Sequence, residues 1–242
     1  MTAFARFEIR RTLRDSRFML FLVAMPALLY LLLAGFTSSG RQDGLPAPVA
    51  FMVAMMCYAT IGSACYAIGP PLAAERARGW IRQLRIMPLA GTSWLAVKLL
   101  QGALLILPGI TVVAVTAAIT HSPHLTPARW AALTAVLLAG SLPFTVLGLV
   151  IGQALDGQTA NTATLFTVLG LAFAGGLLIP DTQLPQALQH AAAVLPSRQL
   201  ANLARAAAAG HNPAPAAIGV LAAWTLAAAG AALALRRHDS TA

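Results

Sequence analysis

The sequence predicts an all-α integral membrane protein, and three observations carry that prediction. The 242 residues are 58% hydrophobic and only 10% charged, where soluble chains average about a quarter charged. Mean hydropathy is +0.75. The charges are clustered, so that six intervals (18–40, 44–74, 99–128, 130–155, 157–180 and 206–235) contain no Asp, Glu, Lys or Arg. Each interval holds 23 residues or more, and a membrane-spanning helix needs roughly 20. Six spans with short connections take up nearly the whole chain, as a single transmembrane domain over 1–242. A large soluble catalytic domain is excluded.

The elements follow in order. Residues 2–17 carry Arg6, Arg10, Arg11, Arg14 and Arg17 and form a polar surface-helix candidate. A removable signal peptide is not expected, because the basic stretch is long and Leu33-Ala34-Gly35-Phe36 offers no small-residue cleavage site. Span 1 is therefore placed at 18–37, with Pro26 tolerated inside a bundle. A Gly- and Pro-containing loop leads to span 2 at 49–71, which is expected to end at Pro70-Pro71. A second surface helix is expected at 73–87, closed by Pro88. Span 3 covers 95–119 with an expected kink at Pro108-Gly109, and span 4 covers 130–154. A tight turn at Asp156-Gly157 leads to span 5 at 160–179. Residues 181–210 are too polar to cross, yet they keep apolar spacing at Leu184, Leu188, Leu195, Leu200 and Leu203. They read as amphipathic helices, broken by Pro185 and Pro196, lying at the outer interface or dipping into it. Span 6 covers 215–235.

A net charge of +9 invites a nucleic-acid reading, but the positions of the arginines decide against one. With the N-terminus cytoplasmic, eleven of the sixteen basic residues fall inside, Lys98 lies at a span edge, and only Arg41, Arg129, Arg198 and Arg205 fall outside. The reverse orientation would invert that ratio against the positive-inside rule. Both termini are thus expected in the cytoplasm. Cys57 and Cys65 lie eight residues apart within one span, too far along a helix to bridge, and read as apolar packing. Fifteen arginines against one lysine suit a GC-rich bacterial genome, and hence a bacterial cytoplasmic membrane.

The stretch from Ala73 to Met87 gathers Ala73, Ala77, Trp80, Ile81, Leu84 and Met87 on one helical side. Glu75, Arg78, Arg82 and Arg85 gather on another. The three arginines repel one another at helical spacing, so the face needs anionic lipid headgroups or an acidic protein partner. Both remain open on these residues alone. In sequence terms, the N-terminal pattern Glu8, Arg10, Arg11, Leu13, Arg14, Asp15, Arg17 precedes a Pro-containing span. A Glu-Arg-x-x-Gly-x-x-x-x-Leu-x-x-x-Pro-Leu pattern (Glu75, Arg76, Gly79, Leu84, Pro88, Leu89) then follows span 2. With Pro180, Leu184, Pro185, Leu195 and Pro196 after span 5, the chain resembles the membrane permease of ABC-2 type transporters, in the drug and antibiotic exporter branch. It departs from the family at Trp80 and Ile81, where a Thr-Leu pair is common.

The resemblance implies a homodimer, or a pair with a sibling permease, bound to separate ABC ATP-binding subunits that hold ATP and magnesium. It also implies that Glu75, Arg76, Arg78, Gly79, Arg82 and Arg85, together with Arg10, Arg11 and Arg14, dock the ATPase and receive its motion. The residues agree from below. Lys98 is the only lysine and stands in no phosphate-cradling Gly-rich motif. No expected span carries the mid-membrane charge on which ion-coupled transporters depend. The chain is thus expected to be a transport subunit rather than an enzyme, with no cofactor of its own. The exporter reading implies an amphipathic or apolar cargo; haem, sodium, lipid or glycan export is the alternative within the family, and a self-contained enzyme or channel the alternative outside it.

Three further groups were weighed. Asp156 reads as a turn former or as a gating contact. Gly148 and Gly152 form a small-xxx-small pair for close helix packing, either within the subunit or between permeases. His121 and His124 lack the further ligands a metal site needs and read as solvated loop residues.

Overall fold

The computed structural model describes residues 23–34, 40–42, 44–78, 91–178 and 192–241, with the side chains of 91–101 and 236–241 outside that description. Described elements are α1 (Met25–Ala34), a two-stranded hairpin of β1 (Arg41–Gln42) and β2 (Leu45–Pro46), α2 (Ala47–Ala77), α3 (Gly91–His121), α4 (Pro127–Gly140), α5 (Leu142–Ala154), α6 (Gly157–Ala174), α7 (Pro196–Ala209) and α8 (Pro215–Thr241). Among the described residues, four helical stretches are long and apolar enough to cross a membrane: α2, residues 102–121 of α3, the α4–α5 pair over 127–154, and residues 215–235 of α8. α1 is apolar but short. α6 opens on Gln158, Thr159, Asn161 and Thr162 and is apolar only in its second half. The described chain is thus an all-α bundle, apart from the small hairpin.

α2 is the axis of the bundle, packed by α5, α3, α6, α1 and α7. Of its most apolar window, 89% is buried. Helices apolar on every side belong in interiors, and this one is built largely from Ala, Gly, Ser, Cys and Met. It runs through Pro70 and Pro71 without a break and ends at Ala77. The expected stop at Pro70-Pro71, and a separate helix starting at residue 73, are therefore corrected for 73–77. An interior proline removes one backbone hydrogen bond and crowds the carbonyl four residues earlier, at about 3 kcal/mol. Here Ala67, Ile68, Leu72 and Ala73 on either side are fully packed, and that burial outweighs the loss.

Span 4 is not one helix either. α4 stops at Gly140 and α5 restarts at Leu142, because Pro143 brings no N–H to continue the ladder. Ser141 stitches the junction: its hydroxyl donates to the Leu138 carbonyl at 2.6 Å, and its own carbonyl accepts from the Thr145 hydroxyl at 3.0 Å. α3 passes Pro108 uninterrupted.

α7 follows the dipping rather than the surface reading left open for this segment. Pro196 opens it and Gly210 closes it in the left-handed conformation at φ 78°. Gly210 N–H bonds to the Ala207 carbonyl and His211 N–H to the Ala206 carbonyl, the two bonds of a Schellman cap. Rather than lying across the bundle's end, α7 packs alongside α4, α8 and α2. Leu200 meets Gly140 at one end, and Gly210 meets Arg129 at the other, so α7 and α4 run antiparallel. Ser197, Leu200, Ala201, Ala204, Arg205 and Ala208 are buried on its inward face. The Trp224 indole N–H of α8 donates to the Val194 carbonyl at 2.8 Å and fixes the turn that precedes α7.

At Gly148 an added Cβ would stand 2.6 Å from the Cys65 carbonyl oxygen and 3.1 Å from Cys65 Cα, both on α2. Gly148→Val should therefore separate α2 from α5 and destabilise the fold by about 1–3 kcal/mol or more. At Gly170 a Cβ meets nothing within 4 Å, and Gly170→Ala should be neutral or stabilising by up to about 1 kcal/mol. Thermal unfolding midpoints of the two variants in one detergent check the contrast.

Candidate functional site

The predicted docking residues begin where α2 ends. Glu75 and Arg76 occupy its last turn, and Arg78 is the C-cap, exposed, with its N–H on the Ala74 carbonyl at 3.3 Å. Gly79, Arg82, Arg85, Arg10, Arg11 and Arg14 lie outside the described residues.

Arg76 reaches across to another helix. Its guanidinium donates through Nη1 to the carbonyls of Gly152, at 3.4 Å, and of Gln153. These carbonyls belong to the last turn of α5, where a helix has acceptors with no intrahelical partner. The Ile151 carbonyl in the same turn accepts from Leu155 N–H at 3.0 Å. A cation at this end also meets the negative end of the helix dipole. Arg76 thereby closes α5 from outside and ties it to the end of α2. Both Glu75 Oε2 and Gln153 Oε1 are shielded from solvent beside it. The next residues form the turn into α6, with Asp156 as its N-cap: its carbonyl accepts from Ala160 N–H at 2.9 Å, and its side chain makes no capping bond.

Above this joint, α2 and α5 are in backbone contact. Gly152 has room only for hydrogen, since a Cβ would fall 2.6 Å from the Gly69 carbonyl and 2.9 Å from Leu72 Cβ. With Gly148 on Cys65, and the Cys65 thiol donating to the Phe144 carbonyl at 3.3 Å, the residues 144, 148 and 152 form one ridge along α5. Thr164 of α6 closes the third side at Gly69. Gly148 and Gly152 are thus used inside the subunit, which settles one of the two uses left open for them.

Among the described residues no cluster of His, Cys, Asp or Glu could hold a metal ion. His124 is exposed, while His121 is engaged: its Nδ1 lies 3.2 Å from the Tyr30 hydroxyl and 2.9 Å from Thr120 Oγ1. Tyr30 is 1% exposed. Both cysteines are free and buried.

Sequence reasoning gave Arg205 a side of the membrane but no degree of burial; it is only 4% exposed, on the inward face of α7. A signal was present. Ser197, Ala201, Arg205 and Ala208 follow helical spacing, so Arg205 had to share a face with the apolar positions around it.

Comparison with known proteins places these features in context. Residues 37–236 match the family described as ABC-2 family transporter protein. A Bacillus subtilis (strain 168) protein named as a transport permease, YvfS, is 27% identical over 190 residues, covering 78% of each chain.

Replacing Arg76 by Gln should uncap α5 and lower stability by about 1–3 kcal/mol, the range for hydrogen bonds to charged groups. Arg76→Lys should restore part of it. Unfolding midpoints of the three proteins in detergent test the cap; equal midpoints would remove it.

Proposed function

Because the chain belongs to the ABC-2 family of transporters, we propose that it is the permease subunit of an exporter powered by a separate ABC ATPase. It is a membrane transport component of an ABC transporter; the cargo, direction and partner are this proposal. The cargo is an amphipathic or apolar compound of the drug and antibiotic kind, since a strongly charged solute would be costly to move past largely uncharged spans. The permease works as a homodimer or beside a sibling permease in a bacterial cytoplasmic membrane. Six spans keep both termini in the cytoplasm.

The observation that supports this mechanism best is the Arg76 bridge. ATP binding closes the ATPase pair, which pulls on the segment 73–87. That segment continues α2 directly through Ala77, and Arg76 passes the displacement to the inner end of α5. Because Gly148 and Gly152 hold α2 and α5 in backbone contact, the two move as one body. Arginines 78, 82 and 85 present the charge that an acidic ATPase surface would grip.

Purified together with its ATPase in vesicles, the complex should hydrolyse ATP and move cargo, whereas the isolated chain should bind no nucleotide. Reversing Arg78, Arg82 and Arg85 to Glu should abolish co-purification or leave ATP hydrolysis unresponsive to cargo. If assembly and transport both survive the triple change, docking belongs elsewhere. A tag at 190–200 should be reachable from outside intact cells.

A further inference from the structure

Where α4 and α7 run side by side, a cleft of about 320 Å³ lies between them. Ala132, Val136, Leu203 and Ala207 form its apolar wall, while Arg129 and His211 stand at its rim. Both rim side chains are exposed. They are nonetheless held in place. A Cβ on Gly210 would lie 3.0 Å from Arg129 Nε, so the guanidinium rests directly on the Gly210 backbone. The Schellman cap fixes His211, and the turn of the β-hairpin at Gly44 approaches it from the far side. Arg41 donates to the Gly44 carbonyl at 3.0 Å and adds a second guanidinium to the same end of the bundle.

The carboxylates Glu75 and Asp156 belong to the end of the bundle reached by the last turn of α2. Gly44 and the hairpin precede its first turn. Over the 31 residues of α2, at 1.5 Å per residue, the two ends are about 45 Å apart. The cleft is also graded along α4. From Arg129 to Val136 the wall runs seven residues, or about 10 Å, from a guanidinium at the rim to apolar lining. That distance matches the drop from a lipid headgroup to the first carbons of its acyl chains.

We propose that this cleft binds an anionic phospholipid, with its phosphate on the Arg129 guanidinium and His211 and one acyl chain laid along Val136 and Leu203. Arginine presents a planar fork that meets phosphate oxygens in pairs. The surrounding cationic side chains favour a headgroup of net negative charge over a zwitterionic one. Bound there, the lipid braces α7 against α4 and covers the apolar wall between them. The site is independent of the docking joint at Arg76 and of any cargo.

The test uses the full-length chain in detergent, with retained lipid read by native mass spectrometry after exchange with phosphatidylglycerol or phosphatidylcholine. Phosphatidylglycerol should be retained in preference to phosphatidylcholine. Arg129→Gln should weaken phosphatidylglycerol retention by about fivefold, the effect of one lost headgroup–cation contact, and Arg129→Lys should keep most of it. Val136→Trp, which fills the cleft from its wall and leaves the rim charges intact, should expel the lipid. Should Arg129→Gln unfold the chain, Val136→Trp decides alone. Equal retention of the two lipids, or retention unchanged in Val136→Trp, overturns the proposal. So does soluble glycerol phosphate competing as well as the whole lipid, which would make the rim a site for free anions.

Discussion

A helix enclosed on every side by other helices must be made of side chains small enough to let their backbones approach. α2 meets that constraint with glycines and cysteines at Gly62, Cys65 and Gly69 and with alanines along its length. The partner helix answers with Gly148 and Gly152, so that carbonyls of α2 lie where a Cβ of α5 would otherwise stand. In lipid, apolar surface gains little from burial against other apolar surface, and close packing supplies the cohesion instead. The other helices of the bundle are positioned by this contact, directly or at one remove. α6 inserts Thr164 at Gly69, and α3 lays Gly102 against Thr145 of α5.

The same constraint bears on the end of the bundle at Ala77, where the proposed docking segment begins. Two helices in backbone contact cannot slide past each other without a collision at Gly148 or Gly152. A load applied after Ala77 is thus shared by α2 and α5, and Arg76 binds them where the load would enter. One guanidinium does two things there: it satisfies carbonyls that a helix end leaves open, and it joins two elements. Proline in mid-helix is compatible with this arrangement because the flanking turns are locked by packing on both sides.

At the opposite end, polarity enters the bundle. α7 carries Arg205 inward among apolar neighbours, and the surrounding structure engages it. Burying a guanidinium is costly unless it is paired or hydrogen-bonded. Ser197 likewise packs tightly, against Gly175 at the end of α6. The polar character that bars 181–210 from crossing the membrane unaided is, in α7, partly turned toward protein rather than toward water.

Composition and charge clustering were enough to reveal an all-α membrane chain and the apolar cores of α2, α3, α4–α5 and α8. These follow from transfer free energy and from the sign of charge beside a membrane, both properties of local sequence. The N-terminus of α7 at Pro196 was legible for the same reason, since proline both ends one run and begins the next. Tertiary structure decided the rest. Pro70-Pro71 stays helical because neighbouring helices compensate for the lost bond, whereas Pro143 divides a span where Ser141 can take over the freed groups. Gly148 and Gly152 had two admissible partners until α2 was placed beside them. Arg76 could be assigned a charge but not an acceptor, because the carbonyls it meets are 76 and 77 residues away in the chain. Arg205 could be given a side of the membrane but not a degree of burial, because single-sequence hydropathy measures the cost of leaving water, and only packed neighbours determine whether that cost is met.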